Sequence, residues 1–286
     1  MSIDFDFPLA PEIDRNVTAA LAEDVGAGDL TASLVPGERL VKATVISREP
    51  GVLCGTAWFD ECVRRLDPAA RVVWHAADGE RLVANQLLCE IEGNGRALLT
   101  AERSALNFLQ LFSAVASKAR LYADAIAGTK ALVVDTRKTL PGLRIGQKFA
   151  VRCGGGNHRL ALWDAILIKE NHIHAAGGIR QALAAARQVA EQAADRCKFI
   201  QIEVESIDEL NTALDAGSTM ILLDNFSLDM MREAAVLNAG RAVLEASGNV
   251  SLETIRAIAE TGVDRISVGA LTKDVKALDL SMRFIG

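Results

Sequence analysis

Six short β-prone apolar runs recur through the second half of the chain, and helical patterns separate most of them. They end near Asp135, Lys169, Glu203, Asp224, Ala246 and Val268, and the last four endpoints are spaced by 21, 22 and 22 residues. Near-continuous apolar strands that alternate with helices are typical of a parallel sheet covered by helices. A unit that repeats every ~20–25 residues favours a compact (β/α) barrel over an open sheet with long crossovers.

The two halves of the chain predict different architectures. Helical patterns cover 179–194, 207–216, 228–238 and 252–260 in the second half. The first half has strand candidates at 42–48, 52–54, 72–74 and 87–91 and helices at about 11–23 and 56–66. This mixture indicates a small α+β domain, joined to the barrel by an amphipathic stretch at 101–126. We predict an α/β protein with an N-terminal domain over 1–115, against which 274–286 packs, and a catalytic barrel domain over 116–273.

The window 135–172 is basic in a chain whose formal net charge is −6. It holds seven Lys or Arg residues against three acidic residues, a local excess of four positive charges. A nucleic-acid footprint usually makes a whole domain basic. A confined excess of cations therefore points to a small anionic ligand.

Composition places the chain among ordinary globular proteins of a reducing compartment. The five cysteines, Cys54, Cys62, Cys89, Cys153 and Cys197, are scattered and form no C-x-x-C pair, which argues against a disulfide framework or a zinc site. Residues 1–6 lack a signal-peptide pattern. No apolar run approaches the ~20 residues needed to span a bilayer. We expect a cytoplasmic protein that does not bind membranes or nucleic acid.

Chemically useful residues follow the predicted strands. They are Arg137, Lys138, Lys169, Glu203, Asp224, the turn Ser247-Gly248-Asn249, and Gly269. In a parallel barrel all strand C-termini open on one face, where loops carry function. Cations there recognise carboxylate and phosphate, two carboxylates suit Mg²⁺, and Gly-rich turns before helices expose N–H groups to phosphate.

Each of these features has a structural interpretation when taken alone. Glu203 and Asp224 could be salt-bridged carboxylates, and His158 could be a partly buried histidine. Arg103 could be a solvated helix charge, and both Gly154-Gly155-Gly156 and Ser247-Gly248-Asn249 could be simple turns. Their joint placement after equivalent strands is what favours a functional site.

Several long motifs resemble the quinolinate phosphoribosyltransferase family. They are Asp135-Thr-Arg-Lys-Thr139, Pro141-Gly-Leu-Arg144, Lys148-Phe-Ala-Val-Arg-Cys-Gly-Gly-Gly-Asn-His-Arg159, Leu167-Ile-Lys-Glu-Asn-His172, Glu203-Val-Glu205, Leu223-Asp-Asn225 and Ala246-Ser-Gly-Asn249. Glu102-Arg-Ser-Ala-Leu-Asn107 and the segment around Glu23 to Thr31 extend the resemblance over nearly the whole chain. Leu140 departs from the usual small or polar residue after Thr139.

The resemblance implies an N-terminal α/β sandwich and an open, incomplete (β/α) barrel, closed by the partner's sandwich in a homodimer. It implies the Mg²⁺-dependent conversion of quinolinate and 5-phosphoribosyl-1-diphosphate to nicotinate mononucleotide, diphosphate and CO₂, a step of NAD biosynthesis. Carried over by motif, the quinolinate ligands would be Arg103 from the partner subunit, Arg137, His158, Arg159 and Lys169. Lys138 would lie between the substrates, with Glu203 and Asp224 serving the metal and ribose. Ser247, Gly248, Asn249 and Gly269 would serve the phosphoribosyl group.

Three alternatives remain open at this point. A phosphoribosyltransferase-like paralogue of the kind associated with molybdenum transport would use an altered base. An aldolase-like barrel would use Lys169 or Lys138 as a Schiff-base nucleophile. A non-catalytic phosphosugar sensor would bind ligand without turnover.

Overall fold

The computed structural model describes residues 7–285; residues 1–6, on which the signal-peptide prediction rests, and residue 286 lie outside the described part. The chain divides into two compact units. The N-terminal unit contains 7–120, Thr139–Gly154 and 272–285, and the barrel unit contains Leu121–Lys138 and Gly155–Leu271. Across residues 7–285, no helix is long and apolar enough to cross a membrane.

The elements are numbered in chain order. The strands are β1 Leu40–Ser47, β2 Gly51–Val52, β3 Arg71–Trp74, β4 Arg81–Leu82, β5 Leu87–Asn94, β6 Leu132–Val134, β7 Ile166–Ile168, β8 Ile200–Val204, β9 Met220–Asp224, β10 Val243–Ser247, β11 Arg265–Ser267 and β12 Leu280–Ile285. The helices are α1 Leu9–Val25, α2 Thr56–Leu66, α3 Gly95–Ala125, α4 Arg144–Gly154, α5 Glu170–Ala176, α6 Ile179–Ala193, α7 Ile207–Asp215, α8 Leu228–Asn238, α9 Ile255–Ala259 and α10 Ala270–Lys273.

The N-terminal unit is built on an antiparallel sheet with the strand order β12-β1-β5-β3. The C-terminal strand β12 lies beside β1, with Lys42 opposite Ile285 and Ser47 opposite Leu280. The core of this unit centres on Trp58, whose ring lies 4.8 Å from that of Phe112 in an edge-on arrangement. The indole Nε1 donates to Asn16 Oδ1 at 3.1 Å, so the buried polar edge of Trp58 is satisfied.

The barrel unit contains six parallel strands in the order β6-β11-β10-β9-β8-β7. The last strand in sequence, β11, pairs with the first, β6, whereas β6 and β7 form the two edges of the described sheet. This order is that of a six-stranded barrel opened between β6 and β7. The expected fold class, α/β with an open, incomplete barrel, is therefore confirmed. All six strands direct their C-terminal ends to one face.

The sequence pattern located the barrel strands closely. Each of the six observed strands ends within one residue of its predicted endpoint, and α8 has the predicted bounds 228–238. Helix α9 is shorter than the predicted 252–260, because a turn precedes it in which Ser251 N–H donates to Thr254 Oγ1 at 3.0 Å.

Helix α4 corrects the interpretation of Gly154-Gly155-Gly156 as a simple flexible turn. Gly154 is the last residue of α4, and a Cβ there would meet Ala116 O of α3 at 2.6 Å and would also overlap Arg120 N. Gly156, in the barrel unit, forms a parallel bridge with Val134, and its N–H donates to Val133 O at 2.9 Å. The glycines therefore permit close backbone packing and extend the sheet beside β6.

Candidate active site

The C-terminal ends of the barrel strands surround a cavity of about 160 Å³. Its lining residues are Asp135, Thr136, Arg137, Lys138, His158, Arg159, Leu167, Lys169, Glu203, Leu222, Glu245, Ser247 and Ser267. Basic side chains outnumber acidic ones here, although the whole chain is acidic. The cavity therefore suits a small anionic ligand.

Lys169 and Glu203 form an ion pair across neighbouring strands. Lys169 follows β7 and donates from Nζ to both Glu203 oxygens, at 2.8 and 3.1 Å. Burial raises the pKa of the Glu203 carboxyl, the Lys169 ammonium opposes this increase, and the negative charges of Asp224 and Glu170 add to it. The carboxylate of Glu203 is thus held in the cavity wall by a cation that an anionic ligand can also attract.

Arg159 is a buried cation with spare donors. Its side chain is only 6% exposed, and Nη1 donates to Ala165 O at 3.0 Å. Its Nε is buried and has no hydrogen-bond partner within residues 7–285. Burial lowers the pKa of the Arg159 guanidinium, and the positive charge of Arg137 lowers it further. An anion bound beside Arg137 and Arg159 would relieve this repulsion.

The loop that carries His158 is fixed by Asp135, the residue after β6. Asp135 accepts from Asn157 Nδ2 at 2.8 Å and from His158 N–H at 2.9 Å. The imidazole Nε2 lies 2.7 Å from Gln201 Oε1 on β8, and the Phe199 ring packs edge-on at 5.4 Å between centroids. His158 is buried and also belongs to the cavity wall, so its position is determined by the barrel.

A tight turn at the ends of β9 and β10 positions Asp224 and Ser247 side by side. The two residues are register partners, and Ser247 O accepts from Asn225 N–H at 2.9 Å. Asn225 Nδ2 donates to Asp224 Oδ2 at 2.8 Å. Asn225 has φ 55°, and a Cβ at Gly248 would overlap its Oδ1. Gly248 is therefore required for the close approach of these two turns.

The structure brings most of the predicted site residues together, but not all. Seven of them line the cavity: Arg137, Lys138, His158, Arg159, Lys169, Glu203 and Ser247. Asp224, Gly248, Asn249 and Gly269 lie at or just after the ends of β9, β10 and β11 but are not among its lining residues. Arg103 lies on α3 in the N-terminal unit, exposed and outside the lining set.

Sequence reasoning missed several polar residues of this region, among them Asp135, Asn225, Gln201 and Glu245. Asp135 and Asn225 lie inside the family motifs, close to predicted site residues. Asp135 holds the loop of His158, and Asn225 forms the turn after Asp224. Gln201 precedes Glu203 by two positions on β8, and strand alternation places such residues on the same face. Glu245 lies within an otherwise apolar predicted strand, and a charged residue at such a position was the available sign of a functional role.

Glu203 and Asp224 are the carboxylates best placed for a divalent cation. They stand at the ends of adjacent strands, and the Asp224 charge is close enough to raise the pKa of Glu203. Among the described residues, no group of three or more His, Cys, Asp or Glu side chains is arranged to hold a metal. Two carboxylates fit Mg²⁺, which commonly completes its coordination with water and substrate oxygens.

An open (β/α) barrel whose strand ends enclose a cation-rich cavity defines an α/β-barrel enzyme of small anionic substrates. Two family models match the chain: the quinolinate phosphoribosyl transferase C-terminal domain over residues 115–283 and the N-terminal domain over 29–113. The chain therefore belongs to the quinolinate phosphoribosyl transferase family, and the resemblance seen in its motifs is confirmed.

Known proteins agree with this assignment over the full length. A probable nicotinate-nucleotide pyrophosphorylase (carboxylating) of Bacillus subtilis (strain 168) is 40% identical over 261 residues, 91% of this chain and 89% of that protein. The nicotinate-nucleotide pyrophosphorylase (carboxylating) of Mycobacterium leprae (strain TN) is 40% identical over 99% of both chains. The solved nicotinate-nucleotide pyrophosphorylase of Francisella tularensis aligns with a TM-score of 0.92 and 43% identity over 96% of both chains. These matches favour the phosphoribosyltransferase interpretation over the aldolase-like one.

Proposed function

We propose that the chain transfers the phosphoribosyl group of 5-phosphoribosyl-1-diphosphate to quinolinate, with decarboxylation, to give nicotinate mononucleotide, diphosphate and CO₂ for NAD biosynthesis. The observation that carries this proposal is the concentration of Arg137, Arg159 and Lys169 on one small cavity. Quinolinate has two adjacent carboxylates, and a dianion of that size matches several converging cations. The names of the relatives support the same reaction.

The quinolinate ligands in this proposal are Arg137, His158, Arg159 and Lys169. The buried Arg159 has an unused Nε and is repelled by the positive charge of Arg137, so a carboxylate between the two guanidinium groups would relieve that repulsion. Lys169 is the movable member, because its ammonium is already paired with Glu203 and can exchange one carboxylate for another.

The phosphoribosyl donor occupies the ends of β8 to β11 in this proposal. Lys138 would contact the diphosphate, and Glu203 and Asp224 would hold Mg²⁺ and the ribose hydroxyls. The turn Ser247-Gly248-Asn249 and the backbone at Gly269 would receive the 5′-phosphate. Mg²⁺, when bound, neutralises charge on the diphosphate leaving group. The support is the pairing of Asp224 with Ser247 across β9 and β10, which places a carboxylate beside a Gly-rich turn.

The chemistry needs little from the protein beyond position and charge. The ring nitrogen of quinolinate attacks ribose C1, and the C1–O bond to diphosphate breaks with its electron pair leaving on oxygen. Lys138 stabilises that developing negative charge. The alkylated nitrogen is a pyridinium, which stabilises the carbanion left when the 2-carboxylate departs as CO₂, and a proton then replaces it. A cation held tightly on that carboxylate would oppose its loss, so the cationic contacts should be strongest on the carboxylate that remains.

The proposed assembly is a homodimer in which Arg103 completes the partner subunit's site. The opening between β6 and β7 and the exposure of Arg103 on α3 support this arrangement. The free state of all five cysteines supports a reducing compartment such as the cytoplasm. We also propose 1–115, with the returning 274–286, and 116–273 as the functional domains.

Complementation tests the assembly. Arg103→Ala and Lys138→Ala should each be nearly inactive alone. When the two variants are unfolded and refolded together, half of the dimers are mixed and each mixed dimer has one intact site, so about a quarter of wild-type activity should return. If Arg103 serves its own chain, every site keeps a defect and no activity returns. Mass tags confirm that the chains mixed.

The reaction is tested by incubating the purified chain with quinolinate, the phosphoribosyl donor and Mg²⁺ and identifying the nucleotide formed. Nicotinate mononucleotide is the expected product. Turnover of an aldehyde or ketone, trapped on Lys169 by borohydride, would instead support an aldolase. Binding of the phosphoribosyl donor without any turnover would support a sensor.

A further inference from the structure

Glu245 is a completely buried carboxylate in the wall of the cavity. It lies on β10, its side chain is 0% exposed, and neither carboxylate oxygen has a hydrogen-bond partner within residues 7–285. Burial of an ionised carboxylate is costly unless cations compensate for it. Two side chains stand close: the Arg265 guanidinium, with Nε 3.4 Å from Oε2, and the His158 imidazole, with Nε2 3.6 Å from Oε1. The carboxylate therefore connects a structural arginine to a histidine of the cavity.

Arg265 anchors one side of this connection. It lies on β11, is also completely buried, and donates from Nη2 to Asn157 O at 3.0 Å. Asn157 is the residue before His158, so Arg265 supports the loop that carries the imidazole. Glu245 thus touches the backbone support of His158 through Arg265 and the ring of His158 directly.

The surroundings of the His158 ring favour hydrogen on one of its nitrogens. Nε2 faces the oxygens Gln201 Oε1 at 2.7 Å and Glu245 Oε1 at 3.6 Å. Two acceptor oxygens beside Nε2 favour the tautomer that carries hydrogen there. The charge of the ring then depends on whether Nδ1 also carries hydrogen, and a carboxylate near Nε2 favours the doubly protonated ring.

We propose that Glu245 is a positioning residue that keeps His158 as an imidazolium, so that its Nδ1–H can donate to a carboxylate of the bound pyridine dicarboxylate. This role deepens the proposed function and rests on it. Glu245 does not touch the substrate. It acts through His158, by supplying the negative charge that makes a cationic ring stable in a cavity already rich in cations.

Other charged groups near the His158 ring also affect its protonation. From the β6 end, Asp135 accepts from His158 N–H but is shared with Asn157. The remaining charged residues that line the cavity are Arg137, Lys138, Arg159, Lys169 and Glu203. Four of these five are cationic and, together with Arg265 beside Glu245, disfavour a further positive charge, whereas Glu203 is engaged by Lys169. The imidazolium therefore depends on a carboxylate close to the ring, which Glu245 supplies.

The test is the pH dependence of quinolinate binding, measured by calorimetry between pH 6 and 9 on wild type and on Glu245→Gln. The amide keeps the shape of Glu245 but removes its charge. The pH at which affinity falls should move down by about one unit or more in the variant, since a nearby opposite charge shifts an ionisable group by roughly 1–3 units. At pH 6 the two proteins should bind nearly alike, and at pH 9, above both midpoints, the variant should bind about tenfold more weakly or worse.

Gln201 offers a matched rescue. Because Gln201 and Glu245 face the same ring nitrogen, the double variant Glu245→Gln with Gln201→Glu moves the carboxylate from one acceptor to the other. It should restore the wild-type pH profile. Equal weakening of Glu245→Gln at every pH, with no recovery in the double variant, would overturn the proposal and leave Glu245 a packing role only.

A spectroscopic measurement on wild type removes the dependence on variants that fold poorly. The chain has four histidines, so ¹⁵N-histidine spectra can be assigned with His158→Asn. The His158 signals should show an imidazolium at pH 7.5 without ligand, whereas a neutral ring at that pH would overturn the proposal. Failure of the proposed function is recognised separately, because wild type would then show no affinity for quinolinate while the His158 signals stay as expected.

Discussion

The preference for quinolinate over nicotinate measures how much the buried cations of the cavity contribute to substrate selection. Nicotinate lacks the 2-carboxylate and is a monoanion, so it leaves at least one cation of the cavity without a counter-charge. Arg159 should lose the most binding free energy when the 2-carboxylate is missing. It is only 6% solvent-accessible, and its Nε has no partner among the described residues. Water that fills the space of the missing carboxylate brings no counter-charge.

The expected magnitude follows from that burial. A buried charge left without its partner costs roughly 2–5 kcal/mol. Because each tenfold change corresponds to about 1.4 kcal/mol, kcat/KM for quinolinate should exceed that for nicotinate by about 30-fold to 4,000-fold. The assay is the initial rate of diphosphate release at saturating phosphoribosyl donor, with each acid varied.

Two variants identify the source of the discrimination. Arg159→Met keeps much of the side-chain volume but removes the charge. The preference for quinolinate over nicotinate, measured as the ratio of their kcat/KM values, should therefore be mostly lost. Arg232→Met is the matched control, because Arg232 pairs with Asp229 at 2.6 Å on the exposed surface of α8, where ion pairs contribute little. Equal kcat/KM values for the two acids in wild type would refute the reasoning.

Three further predictions follow from the same geometry. Glu203→Gln and Asp224→Asn should each raise the Mg²⁺ concentration needed for half-maximal activity and lower kcat by about 100-fold or more, and unchanged Mg²⁺ titrations in both would reject the metal assignment. Burial raises the pKa of Glu203, and the Lys169 ammonium opposes that increase. Lys169→Met should therefore move the acid limb of the pH profile of kcat/KM to higher pH, whereas Lys169→Arg should leave it in place. A shift of that limb to lower pH in Lys169→Met would contradict this. Gly154→Ala should lower the unfolding free energy by roughly 1–3 kcal/mol in urea titrations, whereas Gly37→Ala, whose added Cβ would meet nothing closer than 3.8 Å, should be nearly neutral.

The barrel was predictable because its signal is periodic. Apolar strands that end in polar residues at steps of 21 and 22 residues leave few alternatives, and the observed strand ends differ from the predicted ones by at most one residue. The residues that follow the strands, Arg137, Lys169 and Glu203, were accessible for the same reason, since one rule places them all on one face.

The rest of the site depends on contacts that have no sequence period. Glu245 lies inside an apolar run and Arg265 stands at the start of another, and their pairing across β10 and β11 becomes visible only when the two strands are adjacent. The role of Gly154 depends on the approach of α4 to α3, and that of Asn225 on a left-handed turn beside Gly248. Such features arise from tertiary packing, and local propensity does not encode them.

The proposed phosphoribosyl transfer with decarboxylation is most directly tested by comparing the amounts of CO₂ and diphosphate that one reaction releases. Quinolinate labelled with ¹⁴C in the 2-carboxylate is turned over with the phosphoribosyl donor and Mg²⁺, and labelled CO₂ and diphosphate are measured from the same reaction, with Arg159→Met as the defective control. The proposed reaction predicts one CO₂ for each diphosphate released, and both rates should fall together in the variant. Diphosphate release without labelled CO₂, or no release of either from correctly folded wild-type protein, would contradict it.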